Sequence, residues 1–356
     1  MEKIQNGQED PERKNRSLSY GLWALLCCAA MTVMVVFASN KAIVIADGGA
    51  LQAEGMGENG EQDSETPEIP LTVEYAPEPS GKFCISLPKS IRAENIGLEN
   101  RYTSRELWLY IGLEDTDFFA QHPITGDTGE IQEASLREGD RGVIIRLKMQ
   151  RILEYRCTLE NNMLVITFEN PRDRYEHIVV LNPRGGECVL SVARLVQDKL
   201  ESEAGGMRIY LIRSESAEEC LALIDGVQAD VYVEINVRED EAPEDSYGIL
   251  GYYNGDYFIP GPGNVELADM LTKEVTMSSC NRAQGLLEAD EDSLLKQLSI
   301  PGAALSIGCW TNPEERYLLE QESYREKLAE GILQGLEEFF RQREIFQTET
   351  FDKESR

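Results

Sequence analysis

The sequence predicts an α/β fold: a mixed, mostly parallel sheet with helices on both faces, preceded by a small, mostly β domain and an N-terminal transmembrane helix. Three observations predict it. Strand-like and helix-like stretches alternate after residue 175, apolar and polar residues alternate between about 71 and 170, and residues 17–40 carry no charge. A chain of 356 residues, 42% of them hydrophobic, has room for two cores.

The elements follow in order. Residues 1–16 contain Arg13, Lys14 and Arg16 and read as a cytoplasmic tail. Residues 17–40, centred on "YGLWALLCCAAMTVMVVFA", supply the ~20 apolar residues that cross a hydrocarbon layer of ~30 Å. The basic residues before this run place the N-terminus inside and later residues outside. A single-pass cell-membrane protein with extracytoplasmic domains is therefore expected. A cleaved signal peptide is the competing reading, and the length of the run favours the anchor. Residues 41–70, rich in Gly, Glu and Pro, read as a flexible acidic linker.

Residues 71–174 read as the β domain. In "VIIRLKM" and "RILEYRCTL", Ile145, Leu147 and Met149, then Leu153, Tyr155, Cys157 and Leu159, alternate with polar residues. "ELWLYIGL" and "NNMLVITFEN" are further strands, and Asn161-Asn162 marks a turn. Residues 175–345 read as the α/β domain. Its strands are 178–181, "MRIYLIR", "VYVEI", "ILGYY" and "GAALSIG". Its helices carry the stripe Val189, Val192, Ala193, Val196 and Leu200, a capping box at Ser216, the stretch "NVELADMLTKEV", and a long amphipathic segment from about Ser323. Residues 346–356 read as a C-terminal tail. In such folds, sites gather at the C-terminal ends of the strands.

The net charge of −30 excludes nucleic acid as a partner, because phosphates need basic contacts. Six cysteines lie beyond the apolar run: Cys84, Cys157, Cys188, Cys220, Cys280 and Cys309. In an exported chain they permit disulfides, and scattered buried thiols are equally open. There are two histidines, His122 and His177.

Four motifs stand in a telling order. The first predicted strand of the α/β domain ends in Asn182-Pro183-Arg184-Gly185-Gly186, and "IYLIRS" ends the second with Arg213. "ADVYVEINVRED" covers Ala229 to Asp240, and "PGAALSIGCWTNPEE" covers Pro301 to Glu315. Residues 178 to about 341 thereby resemble the catalytic domain of zinc-dependent N-acetylmuramoyl-L-alanine amidases, which cut peptidoglycan between the sugar and the stem peptide. By position and strand pattern, the β domain is similar to the AMIN module that precedes some amidase domains.

The resemblance implies zinc held by two histidines and a glutamate, with a second glutamate as base. Here the first histidine falls at Arg184, the second at Asn236 and the catalytic glutamate at Ser306; Glu187 is the nearby candidate for the glutamate ligand. A hydrolytic zinc needs three protein ligands and an open position. Arg184 repels a cation and does not deprotonate, Asn236 offers a neutral oxygen, and Ser306 is no base. His177 starts its strand, more than about 10 Å from the loop, and His122 sits in a turn of the β domain. No cofactor is therefore expected, although the family uses zinc.

Two features remain as binding candidates. Arg184 beside Gly185-Gly186 suits an anion at a helix start, or else pairs with Glu187 or Asp240. In "GYYNGDYFIPGPGN", Tyr252, Tyr253, Tyr257 and Phe258 suit stacking on sugars or packing on a protein, or else form a lid with its own small core. The expected function is a membrane-anchored, amidase-like protein without catalysis that binds peptidoglycan or a wall-remodelling protein. One alternative is an active amidase with Glu187, Cys188, Asn236 and Cys309 as unusual ligands. The other is a structural protein of envelope assembly.

Overall fold

The computed structural model describes residues 43–47, 67–75, 82–113, 115–126, 129–140, 142–202, 206–239 and 245–354. The expected membrane anchor at 17–40 lies outside them. Among the described residues, no helix is long and apolar enough to cross a membrane.

The β domain is two sheets face to face. One sheet has the order β1 (Ile43–Asp47), β10 (Glu154–Glu160), β11 (Met163–Glu169), β4 (Lys82–Ser86), β7 (Ile124–Gly126) and β3 (Val73–Tyr75). The other has the order β2 (Ile69–Pro70), β8 (Ile131–Gly139), β9 (Gly142–Met149), β6 (Glu106–Ile111) and β5 (Ile96–Arg101). The alternation read from the sequence is the inward face: Leu107, Leu109, Ile145, Leu147, Tyr155, Cys157, Leu164 and Ile166 share one buried core. Asn161 and Asn162 turn β10 into β11 with φ of 50° and 61°, the left-handed pair that a two-residue hairpin needs. A short helix, α1 (Asp117–Gln121), precedes β7, and α2 (Pro171–Arg174) leads out of the domain. One correction concerns the linker. Its residues 43–47 are strand, paired antiparallel with β10.

The α/β domain has one mixed sheet in the order β13 (Met207–Leu211), β12 (His177–Pro183), β14 (Val231–Arg238), β17 (Gly302–Cys309), β15 (Ile249–Tyr253) and β16 (Ala283–Glu288). The first four strands are parallel, and β15 runs against β17. Three helices cover one face: α3 (Glu187–Ser202), α5 (Asn264–Ser279) and α7 (Glu322–Glu354). Val192, Val196, Leu271, Leu328, Ile332 and Phe339 from these helices bury Val179, Leu181, Val233, Ile235 and Leu305. The other face carries α4 (Ala217–Val227), whose Cys220, Leu223, Ile224 and Val227 pack on Ile178, Val180, Tyr210 and Tyr232. A further short helix, α6 (Pro313–Glu320), follows β17. A second correction concerns the C-terminus: the tail expected at 346–356 continues α7 as helix to Glu354.

The unequal covering shapes the site. A single full-length helix on the second face leaves the upper parts of β12, β14 and β17 without a lid, and a cavity lies there.

Candidate functional site

Strand register brings three of the predicted positions into one row. Pro183 of β12 pairs with Ile235 of β14, so Arg184 falls opposite Asn236, and the Arg184 amide donates to the Ile235 carbonyl at 2.8 Å. Asn236 in turn pairs with Ser306 of β17. With strands about 4.8 Å apart, the row Arg184–Asn236–Ser306 is roughly 10 Å long. It crosses the C-terminal ends of three parallel strands.

Below this row lies a cavity of about 420 Å³. Its floor holds side chains of the same sheet face: Asn182, Tyr232, Glu234, Tyr252 and Ala304. The start of α4 and the 289–295 segment form its walls. Asn182 is buried, and its amide donates to the Ser214 carbonyl at 2.9 Å, the Tyr232 hydroxyl at 3.0 Å and the Cys220 thiol at 3.5 Å. Glu234 is the central charge. The Arg184 guanidinium lies 3.5 Å from its carboxylate, and the Asn236 amide donates to it at 3.4 Å. Burial pushes the Glu234 carboxyl above its ordinary pKa, and Arg184 and Asn236 offset this in part. Ser216 caps α4 by accepting from the Glu219 amide at 3.4 Å, while Glu215, Asp290 and Asp292 also line the cavity.

Residues 186–338 match the N-acetylmuramoyl-L-alanine amidase family. They form an amidase-family domain. The chain is 28% identical over 157 residues to the uncharacterized protein YqiI of Bacillus subtilis (strain 168), a span of 43% of this chain and 73% of that protein. It is 24% identical over 128 residues to the germination-specific N-acetylmuramoyl-L-alanine amidase of the same organism, spanning 36% of this chain and 52% of that one. Among solved structures, it is similar to an N-acetylmuramoyl-L-alanine amidase from Clostridium difficile 630, with 22% identity, coverage of 46% of this chain and 96% of that chain, and a TM-score of 0.42. It is also similar to the CwlD amidase from Clostridioides difficile, solved in complex with the GerS lipoprotein, with 20% identity, coverage of 46% and 98%, and a TM-score of 0.40.

Within the amidase domain the predicted residues fare differently. Arg184 and Asn236 line the cavity, while Ser306 lies in the same row but is fully buried, its hydroxyl donating to the Gly308 carbonyl at 3.2 Å. Among the described residues Arg184 pairs with Glu234 rather than with Glu187, and Asp240 lies outside the described residues. Glu187 stands at the start of α3, exposed, 3.8 Å from Arg213 and 4.0 Å from Arg194. Cys188 packs against the helix-covered core, and buried Cys309 places its sulfur 3.0 Å from the Thr311 hydroxyl. Glu187, Cys188, Asn236 and Cys309 therefore do not converge on one point. The six described cysteines are all free thiols.

The structure divides the aromatic stretch. β15 runs against β17, with Tyr253 opposite Ala303, so it carries the following loop to the opposite pole from the row. Tyr252 alone of the four aromatics lines the cavity. Tyr253 packs into the other core, Tyr257 anchors its hydroxyl on the Leu298 carbonyl, and Phe258 is exposed at the far pole.

Sequence reading passed over Glu234, Asn182 and Tyr232. The signal was available for Glu234. Period-two alternation puts it on the same face as Asn236, two residues on. Asn182 and Tyr232 resemble ordinary core positions until α4 supplies their partners.

Proposed function

We propose that this protein is a membrane-anchored, exported member of the amidase family without hydrolytic activity, which binds peptidoglycan through the cavity beside the row. The Arg184–Glu234 pair carries this reading. A hydrolytic zinc at the strand ends requires three anionic or imidazole donors and a carboxylate base. The row supplies a guanidinium, a neutral amide and a buried hydroxyl. The carboxylate of Glu234, which lies beside the row, is bound by Arg184. This donor set does not fit zinc. What the cavity does offer is recognition: amide and hydroxyl donors and acceptors from Asn182, Asn236, Ser214 and Ser216, an aromatic face from Tyr252, and carboxylates from Glu215, Asp290 and Asp292. Mixed polar and aromatic linings of this kind suit a glycan or peptide. The anchor rests on the uncharged run at 17–40 and its basic flank. The AMIN-like β domain is a second wall-facing module in this reading.

The test uses the full chain with purified peptidoglycan and added zinc. No free L-alanine amino termini should appear, and the protein should co-sediment with the insoluble wall. Tyr252→Ala together with Asn236→Ala should reduce the sedimented fraction. Release of amino termini would establish an active amidase. Absence of co-sedimentation would instead favour a protein partner or a structural assembly role.

A further inference from the structure

At the pole opposite the cavity, three metal-ligating side chains meet. His177 opens β12, Glu176 precedes it, and Glu344 reaches across from α7; one donor atom from each lies within 4.8 Å of the others. Among the described residues this is the one such grouping of His, Cys, Asp or Glu. The imidazole is oriented: it stacks on Phe340 with centroids 4.1 Å apart and planes at 14°, which aims Nε2 at the Glu344 carboxylate 2.9 Å away. Among the described residues no cation pairs with the Glu176 carboxylate. The nearby Arg172 is held by the Glu176 and Gln228 carbonyls and by Asp230.

We propose that Glu176, His177 and Glu344 form a binding site for a divalent transition-metal ion. The chemistry matches. Imidazole selects zinc-type ions over magnesium and calcium, and two carboxylates supply charge. Metal–ligand bonds of about 2.0–2.1 Å place tetrahedral donors roughly 3.4 Å apart, so small side-chain rotations close the set around an ion. The remaining coordination positions face solvent, as befits exposed Glu176 and Glu344. The ion clips the first residue of a central strand to the far end of the long helix. The site is independent of the proposed function, because it lies at the other end of β12 from Arg184.

The test is equilibrium dialysis of the chelator-treated full chain against Zn²⁺, with excess Mg²⁺ present to saturate the many surface carboxylates. One ion per chain should bind, and zinc should raise the thermal midpoint. His177→Ala should abolish both effects. Glu344→Gln should weaken binding by more than the roughly 10–100-fold typical of an outer-shell change. Arg184→Ala, Asn236→Ala and His122→Ala should bind as the parent does. Should His177→Ala fail to fold, Glu176→Gln with Glu344→Gln carries the same expectation. Binding that Mg²⁺ displaces, binding that survives both variants, or no saturable binding would overturn the proposal. Binding lost in Asn236→Ala but not in His177→Ala would place the metal in the cavity, and would overturn the inert reading of the row as well.

Discussion

Glu234 is a carboxylate under two opposing influences. Burial raises its pKa, while the Arg184 guanidinium and the Asn236 amide pull it back. The net direction is upward from 4.5, so the folded chain holds this proton more tightly than the unfolded chain does. The resulting contribution to stability is full below the unfolded value and is lost as pH rises through the folded one. Glu234→Gln presents a neutral group at every pH and should remove that slope. Urea unfolding of parent and variant between about pH 4 and 7 should show the difference moving in the variant's favour as pH rises. A constant offset would mean that Glu234 ionises as freely folded as unfolded. At this scale the candidate site was half legible. Motif order located Arg184, Asn236 and Ser306, and strand register does set them side by side. The partner of Arg184 was not legible, because choosing among Glu187, Asp240 and Glu234 requires the direction of a side chain, and loop composition carries no such information. The place of Tyr257 and Phe258 was not legible for a related reason: an aromatic, glycine-rich loop reads the same at either pole of a sheet.

Whole elements were more legible than single contacts wherever one face is buried. The stripe from Val189 to Leu200 forms α3, Ser216 caps α4, and the alternation from Ile145 to Leu159 forms β9 and β10. The strand β16 escaped notice because it lies at the sheet edge with five of its six residues exposed, which leaves no alternation to read. The direction of β15 escaped notice because "ILGYY" gives no sign of whether a strand enters from above or below. A different element feature is invisible to periodicity altogether. Gly331 of α7 faces α5 so closely that a Cβ there would lie 2.5 Å from the Val275 Cα and 2.8 Å from the Glu274 carbonyl. Alanine would gain about 1 kcal/mol of helix propensity. It would also force two backbones apart, where overpacking costs typically ~1–3 kcal/mol. The contacts here are with backbone, which cannot rotate away, so the packing penalty should win. Gly331→Ala should lower the thermal midpoint, read by circular dichroism. An unchanged or higher midpoint would mean that α5 and α7 separate without cost.

At the scale of the molecule, the β domain and the amidase domain are joined by a buried charge. Glu154, the first residue of β10, is fully buried, with its carboxylate 3.3 Å from Nε of Arg208 and 2.5 Å from the Tyr210 hydroxyl, both on the edge strand β13. Tyr102 of the β domain donates to the Leu211 carbonyl at the end of that strand, and burial pushes its hydroxyl pKa up to about 12, which keeps it a donor at neutral pH. Ile152 adds an apolar contact beside α4. A sheet edge left open invites pairing with other chains, and here the neighbouring domain guards it. Removing one member of a buried pair weakens the other's compensation: Glu154→Ala would take from Arg208, only 4% exposed, the carboxylate that lies 3.3 Å from its Nε. That typically costs ~3–5 kcal/mol, whereas replacing both partners with apolar residues of similar volume is often nearly neutral. Calorimetry of the full chain should therefore show Glu154→Ala strongly destabilised, with the amidase domain melting apart from the β domain. The pair Glu154→Leu with Arg208→Met should recover most of the loss. If the single variant melts as the parent does, the two domains are held by their apolar contact alone and the charge contributes nothing to their union. If the double variant is as unstable as the single one, the contact depends on the polarity of Glu154 and Arg208 rather than on an uncompensated charge. The first result would remove the ionic account of the junction, and the second would replace it with a network in which Tyr210 and Tyr102 also need Glu154.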